Sequence, residues 1–263
     1  MRFHKIYALS LRHIYLICSS FPRIIDLIYW PTVQIFLWGF ISKFFTLNST
    51  YYSNTVGIIL TAAILYDFLF RASISYNMMF LEEIWSRNFT NLFIAPIKIS
   101  EIIASLTLTA IFRTLIGLIP ATILAIPLFG VSIFKLGIPL LFLLLSLYIF
   151  GITLGVLVTS GLLRFGPAFE SVAWASLFFL APLGCIYYPI EILPNALQLI
   201  AKALPLVHIF EEMRNILLNN SVNWFQIIKS ISISIIYFVF GVIVFYLSYF
   251  GAKVRGTLIN MGE

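Results

Sequence analysis

The sequence predicts an all-α, polytopic membrane protein, and three observations support that prediction. Of the 263 residues, 61% are hydrophobic and only 10% are charged, whereas about a quarter of the residues of a soluble domain are charged. The mean hydropathy is +1.04. The apolar residues form a series of long runs, most of them near the roughly 20 residues that an α-helix needs to cross a bilayer.

Six of these runs are expected to be transmembrane helices of one membrane domain that covers residues 1–263. No internal repeat divides the chain. In the third run, Pro120 and Pro127 are expected to interrupt the helix. In the fourth, Gly151 and Gly155 have the small-xxx-small spacing of a helix-packing face. The predicted spans are 24–45, 55–79, 99–129, 136–163, 171–186 and 225–250.

The positions of the basic residues predict the orientation, because loops on the cytoplasmic side are enriched in Lys and Arg. With the N-terminus inside, ten basic residues are cytoplasmic and five are external, so both termini are expected inside. The basic residues form no patch, which argues against nucleic acid as a partner. The cytoplasmic set is Arg2, Lys5, Arg12, Arg23, Arg71, Arg87, Lys98, Arg164, Lys253 and Arg255, and the external set is Lys43, Lys135, Lys202, Arg214 and Lys229.

Residues 1–23 combine basic and apolar side chains. They lack a clean apolar core followed by a small-residue cleavage site, so we do not interpret them as a cleaved signal peptide. The alternation of aromatic residues such as Phe3 and Tyr7 with basic residues such as Lys5 and Arg12 is typical of an amphipathic helix at a membrane surface.

A polar interval separates the second and third spans. On a helical wheel, the apolar side chains of 81–95 share one face and the polar side chains share the other. Pro96 is expected to end this helix. We interpret the interval as an amphipathic helix on the cytoplasmic surface, and an ordinary interfacial loop helix is the alternative. Its notable residues are Glu82, Glu83, Trp85, Arg87, Asn88, Phe89 and Asn91.

The segment after the fifth span is apolar yet rich in proline. Its apolar pieces are too short to cross a bilayer, and irregular backbone at membrane depth requires shielding by protein or by a water-filled cavity. We expect a pair of re-entrant half-helices that enter from the outside, and an interfacial loop on the outer leaflet is the alternative. The residues that mark this segment are Tyr188, Pro189, Glu191, Pro194 and Pro205.

Two charged residues are expected inside the bilayer. At about 1.5 Å per residue, Asp67 in the second span and Arg113 in the third lie at similar depth. Because an unpaired charge there costs several kcal/mol, we expect the two side chains to pair or to face a hydrated cavity. A purely structural pair and a pair in a transport path both fit this prediction.

No arrangement typical of an enzyme is present. The sequence contains no GxxxxGK[ST], HExxH or GxSxG motif. His4, His13 and His208 are isolated, and Cys18 and Cys185 do not have the spacing of a metal site or disulfide framework. We therefore expect no catalysis and no cofactor in this chain.

The order of these elements resembles the permease subunit of an ABC-2 type exporter. Two stretches carry the resemblance. One is Glu82-Glu83-Ile84-Trp85-Ser86-Arg87-Asn88-Phe89, followed by Leu92 and Pro96, which occupies the place of the coupling helix of that family. The other is Gly184, Tyr188-Pro189-Ile190, Leu193-Pro194, Leu204-Pro205, His208 and Glu212-Met213-Arg214, which is similar to the pattern before the last span of that family.

The resemblance implies a homodimer around a central path between spans one, two and five, in the cytoplasmic (inner) membrane. Each permease would seat its coupling helix in a groove of a separate ATPase subunit, which would bind ATP and Mg²⁺. The polar face of that helix, with Glu82, Glu83, Arg87 and Asn91, would be free for this partner. The expected substrate is amphipathic or lipid-linked, such as a glycolipid or polysaccharide precursor. The alternatives are a drug-efflux permease of the same family, a channel or carrier outside it, and a membrane scaffold.

Overall fold

A computed structural model describes residues 3–48, 55–86, 88, 91–92 and 95–256. Within these residues the secondary structure is entirely helical, with nine α-helices and three short 3₁₀ turns. The helices are α1 Phe3–Cys18, α2 Phe21–Asn48, α3 Thr55–Trp85, α4 Ile99–Phe129, α5 Pro139–Phe165, α6 Glu170–Leu183, α7 Asn195–Ala203, α8 Pro205–Asn219 and α9 Trp224–Arg255.

Five of these helices, α2, α3, α4, α5 and α9, are long and apolar enough to cross a membrane. They correspond to predicted spans one to four and span six, so the prediction of an all-α, multi-pass membrane protein is confirmed at this level. The 3₁₀ turn Pro167–Phe169 and α6 occupy the place of the fifth predicted span. This segment, Pro167–Leu183, is apolar but shorter than the five long helices.

The expected break in the third span is wrong, because α4 continues through both Pro120 and Pro127. Each proline removes one backbone hydrogen bond, and helices in membrane proteins tolerate this where neighbouring groups compensate. The second predicted span is also longer than expected. It continues to Trp85, so the separate surface helix predicted to begin at residue 81 does not begin there.

Helices α3 and α5 form the centre of the bundle. One face of α5 packs on α3 and another packs on α9, while α2 and α4 cover the remaining side of α3. The predicted glycine face of α5 is confirmed: a Cβ at Gly151 would lie 2.8 Å from the carbonyl oxygen of Leu69, and one at Gly155 would lie 2.9 Å from the Cβ of Tyr76. The two helices can approach this closely only because these positions lack side chains.

The bundle has two main apolar clusters. One contains buried apolar side chains of α8, such as Phe210, and of the start of α9, such as Ile227. The other contains Ile84 near the end of α3 and Ala252 near the end of α9, and Leu9 of α1 packs against it. The described ends of the chain, α1 and the end of α9, therefore lie at the same end of the bundle.

Candidate functional site

The described residues that carry the sequence-based predictions fall into three polar sites. The first is a charged cluster where α3 ends, the second is an ion pair within α3, and the third is the folded segment between α6 and α9. Each is built from side chains of helices that the apolar clusters hold in place.

The charged cluster centres on Glu83, near the end of α3, whose side chain is only 3% exposed. Its Oε1 atom forms an ion pair with Arg12 of α1 and lies 3.5 Å from Nε2 of His13. Its Oε2 atom accepts a hydrogen bond of 2.8 Å from Nδ2 of Asn88. Burial lowers the pKa of His13, and this effect exceeds the opposing effect of Glu83. Burial thus favours the neutral form of His13, which faces the carboxylate beside the guanidinium of Arg12.

The neighbouring Glu82 points to a different helix. Nη1 of Arg113, on α4, lies 3.4 Å from both Oε1 and Oε2 of Glu82. Both side chains are largely buried, with 8% of Arg113 and 16% of Glu82 exposed. Adjacent carboxylates on α3 thus bind α1 on one side and α4 on the other.

Two further contacts attach α1 to the beginning of α4. Nζ of Lys5 donates a hydrogen bond to the carbonyl of Pro96, and Oγ of Ser10 donates one of 3.4 Å to the carbonyl of Ser105. The polar side of α1 faces the bundle, while Phe3 and Tyr7 are exposed on the opposite side. This arrangement is that of an amphipathic helix held to the protein by its polar face.

These contacts correct one expectation about the predicted coupling segment. We expected the polar face that includes Glu82 and Glu83 to be free for a partner, but both carboxylates are turned into the bundle. The exposed residues here are Trp85, which is 57% exposed, Ser86 and Asn91. Helical hydrogen bonds resume at Asn88, whose carbonyl accepts from the backbone nitrogen of Leu92 at 3.0 Å. Arg87 and Phe89 lie outside the described residues.

The predicted pairing of Asp67 with Arg113 is wrong. Asp67 accepts a hydrogen bond of 2.9 Å from Nε of Arg71, one helical turn further along α3. Glu82, the partner of Arg113, lies 15 residues beyond Asp67 and therefore about 22 Å away along α3. The predicted pairing was based on the depth of the Cα positions along the two helices. It was wrong because the long side chain of Arg113 points back toward the start of α4.

The third site is the segment that follows α6. Nη1 of Arg214, on α8, donates hydrogen bonds of 2.9 and 3.1 Å to the carbonyls of Cys185 and Ile186. Its Nη2 bonds Glu211 at 2.9 Å, and Glu211 in turn accepts from the backbone nitrogen of Ile190 at 3.1 Å. Arg214 therefore provides hydrogen-bond donors for the two backbone carbonyls that follow the end of α6.

Other members of this segment also have defined roles. Oε1 of Glu212 accepts from the backbone nitrogen of Asn223 at 2.7 Å, which joins α8 to the start of α9. Burial raises the pKa of this carboxyl group. His208 joins the same elements, since its two ring nitrogens lie 3.1 Å from Oε1 of Gln226 and from the carbonyl of Lys202. Tyr187 stacks on Trp38 of α2, with ring centroids 4.1 Å apart.

The residues chosen from the sequence to mark this segment occupy its turns. Pro189 precedes the 3₁₀ turn Ile190–Ile192, which contains Glu191. Pro194 precedes α7, and Pro205 begins α8. The hydroxyl of Tyr188 donates to the carbonyl of Pro182 at 2.6 Å. The 3₁₀ turn and α7 thus coincide with the two short apolar pieces of this segment, and α8 follows them. A re-entrant position in the membrane stays a prediction.

The sequence did not single out Glu211 or Tyr187, and it placed Arg12 on the N-terminal amphipathic helix without indicating its partner Glu83. Arg12 and Glu211 resemble other solvent-exposed charges in sequence, and only their distant partners distinguish them. Within the part of the chain that is described, no group of three or more His, Cys, Asp or Glu side chains could hold a metal ion. The first and third sites join different elements of the bundle through ion pairs and hydrogen bonds, whereas the Asp67–Arg71 pair lies within α3.

No protein-family model matches the chain, and no curated protein matches it either.

Proposed function

We propose that this chain is the permease subunit of an ABC-2 type exporter, which forms a homodimer in the cytoplasmic membrane and is driven by a separate ATPase subunit. The observation that carries the proposal is the charged cluster at the end of α3. Glu83 binds α1 and Glu82 binds α4, so a force applied to the chain after Trp85 would move three helices together. Buried ion pairs suit this role, because breaking one leaves an uncompensated charge and is costly.

The surface for the ATPase would be the exposed part of the same junction. Trp85 is a large side chain that is 57% exposed next to the exposed Ser86. Tryptophan is enriched among the residues that dominate the energy of protein–protein interfaces. In this proposal Glu82 and Glu83 hold the junction rigid from within, and Trp85, Ser86 and Asn91 contact the partner. ATP and Mg²⁺ would be bound by that partner.

The proposal includes a sixth crossing of the membrane by residues Pro167–Leu183. Helix α5 ends beside the cluster that contains the ends of α3 and α9, and α9 begins beside the other cluster. The chain between them must pass from one end of the bundle to the other. At about 1.5 Å per residue, α6 covers about 21 Å, and the preceding 3₁₀ turn adds about 6 Å. With six crossings, both termini would be cytoplasmic.

The path would lie where α2 and α6 flank α3. Phe70 of α3 contacts Trp174 and Phe178 of α6, with ring centroids 5.7 and 5.9 Å apart. Helix α2 presents exposed aromatic side chains such as Phe36 and Phe40. Such surfaces favour an amphipathic or lipid-linked substrate over a small ion. Within the same family, efflux of drugs or other small hydrophobic compounds is the alternative.

The test is site-directed photo-crosslinking in the membranes of the cell of origin. A photoreactive phenylalanine derivative is placed at Trp85 or Asn91, and the crosslinked protein is identified by mass spectrometry. We expect a protein with a P-loop ATPase motif. The purified complex in proteoliposomes should then hydrolyse ATP.

The control places the same probe at Phe36, which is exposed on α2. This position should crosslink to lipid or to a second copy of the chain, and not to an ATPase. If the Trp85 and Asn91 probes give crosslinks only to lipid, or if no ATPase co-purifies, the proposal is overturned and a carrier or channel becomes the better interpretation.

A further inference from the structure

An apolar groove of about 540 Å³ lies between α4 and α9. One wall is the part of α4 from Ser100 to Ile111, and the other is the part of α9 from Phe238 to Tyr246. The floor is Tyr148 of α5, whose hydroxyl donates a hydrogen bond to the carbonyl of Thr107. Because the hydroxyl is satisfied in this way, the tyrosine ring presents an apolar surface to the groove.

We propose that this groove binds one acyl chain of an anionic phospholipid from the leaflet at the Ser100 end. The volume falls within the range of about 300–1,000 Å³ that is typical of small-molecule sites. Its lining is almost wholly apolar, and it opens on the surface of a bundle whose long helices are suited to a membrane. This inference is independent of the proposed transport function.

The length of the groove fits one leaflet. Ser100 and Ile111 are separated by about 16 Å along α4, and Phe238 and Tyr246 by about 12 Å along α9. Half of a hydrocarbon core of about 30 Å is about 15 Å. The groove begins at the first turn of α4, and its length matches the hydrocarbon of one leaflet. This is the extent of a single extended acyl chain.

Exposed lysines lie near the mouth of the groove, whereas the nearby carboxylate of Glu101 is buried and accepts a hydrogen bond of 2.9 Å from the backbone nitrogen of Lys98. Lys98 immediately precedes α4, two residues before Ser100, and it is exposed. Lys253 is exposed near the end of α9. It lies seven residues after Tyr246, and residues seven apart share a helix face. Helix α4 begins where α9 ends, so both ammonium groups are carried at the end of the groove where a lipid headgroup would lie. Two lysines there favour an anionic headgroup over a zwitterionic one.

The test uses the full-length protein in nanodiscs that contain phosphatidylglycerol or phosphatidylcholine with a photoreactive group in one acyl chain. After illumination, labelled peptides are mapped by mass spectrometry. We expect labelling within 100–111 of α4 and 238–246 of α9, stronger with phosphatidylglycerol. At roughly 1 kcal/mol for each lysine, the K98Q/K253Q variant should lose about fivefold per lysine of the preference for the anionic lipid.

The groove itself is tested by Val242→Trp, which fills it, against Val239→Trp, which adds the same bulk at an exposed position on α9. Displacing two methylene groups from the groove, at about 0.8 kcal/mol each, should lower labelling about fifteenfold in V242W. V239W should retain it. Gel filtration and Tm verify that both variants fold, and K98Q/K253Q provides the test if V242W does not. Equal labelling of V242W and wild type, or equal labelling by the two lipids, would overturn the proposal.

Discussion

Arg113 on α4 and Glu82 on α3 form an ion pair at 3.4 Å across 31 positions of sequence. Next to it, Glu83 forms a second ion pair with Arg12 on α1. Two consecutive residues of one helix thus fix the relative positions of three helices. Glu82 and Glu83 consequently connect α1 and α4 to the end of α3.

The Glu82–Arg113 pair predicts a specific pattern of stability. Glu82→Gln leaves the guanidinium buried beside a neutral amide, so the free energy of unfolding should fall by about 3 kcal/mol, the lower end of the range for breaking a buried pair. Replacing both residues by leucine should restore much of the loss. The measurement is a double-mutant cycle on thermal unfolding in detergent.

The control for that cycle pairs Arg113→Leu with Asp67→Asn. Because Asp67 bonds Arg71 and lies about 22 Å along α3 from Glu82, these two changes should be additive to within about 0.5 kcal/mol. A coupling between Asp67 and Arg113 as large as that between Glu82 and Arg113 would contradict the structure.

The Arg12–Glu83 pair predicts that α1 can be detached from the bundle while the rest of the bundle stays folded. Arg12→Ala removes the charged partner of a carboxylate that is 3% exposed. Amide hydrogen exchange of α1 should then become faster, while exchange of α5 stays slow. His4→Ala, at an exposed position on the same helix, is the control and should leave exchange unchanged. Similar exchange in both variants would mean that apolar contacts alone hold α1.

His13 predicts a loss of stability in acid. Burial holds its pKa below the usual 6.5, so the unfolded state binds a proton at a higher pH than the folded state does. The contribution of His13 to stability is therefore present above the unfolded pKa and is lost as the pH falls through the lowered value. Tm should decrease from pH 7 toward pH 5, and less steeply for His13→Gln. Parallel pH profiles of the two proteins would exclude this role.

The glycine face of α5 predicts sensitivity to a single methyl group. In Gly151→Ala the new Cβ would lie 2.8 Å from the carbonyl oxygen of Leu69, so α3 and α5 must separate, at a cost of about 1–3 kcal/mol. Gly57→Ala on α3 is the control, since a Cβ there meets nothing within 4 Å. It should be neutral or stabilising. The comparison is made by thermal unfolding, and equal Tm values for the two variants would contradict the close packing.

The hydrogen bonds of Arg214 predict that Cys185 reacts slowly while they are present and faster when they are removed. Cys185 is fully buried, and burial raises the pKa of its thiol, so it should react slowly with maleimide in a Cys18→Ser background. Arg214→Gln removes the bonds to the carbonyls of Cys185 and Ile186. It should accelerate that reaction by exposing the thiol, although loss of the nearby positive charge raises the pKa of the thiol further. Lys202→Gln, which neutralises an exposed cation of the same segment, is the control. If Arg214→Gln leaves labelling slow, other contacts are sufficient to close the segment.

The class of fold could be predicted from the sequence, and so could most helix positions. Apolar runs long enough to cross a bilayer determine where α2, α3, α4, α5 and α9 lie, since backbone polar groups in a membrane must be satisfied within the helix. The limits of α4, Ile99–Phe129, agree with the predicted span to the residue. The short helix α6 was harder to predict, because a run of intermediate length fits either a span or a buried helix.

The partners of the charged residues could not be predicted in the same way. Asp67 and Arg113 have similar calculated depths, but depth along an axis does not reveal which faces of two helices meet. Glu82 and Glu83 look like a solvent-exposed pair on a helical wheel, but Glu83 is covered by α1 and Glu82 faces Arg113 of α4. The proline-rich segment was recognised as unusual, but Arg214 as the residue that holds it together required the folded chain.

The sequence by itself determined that this protein is a helical membrane protein with a basic, amphipathic N-terminal helix and a folded, proline-rich segment before its last helix. These properties depend on local composition and length, which each segment carries without reference to the others. Only the tertiary structure decided which charges pair, where α3 ends and which side of the junction is exposed. Those outcomes depend on long-range packing, because the residues that contact one another lie tens of positions apart in the sequence.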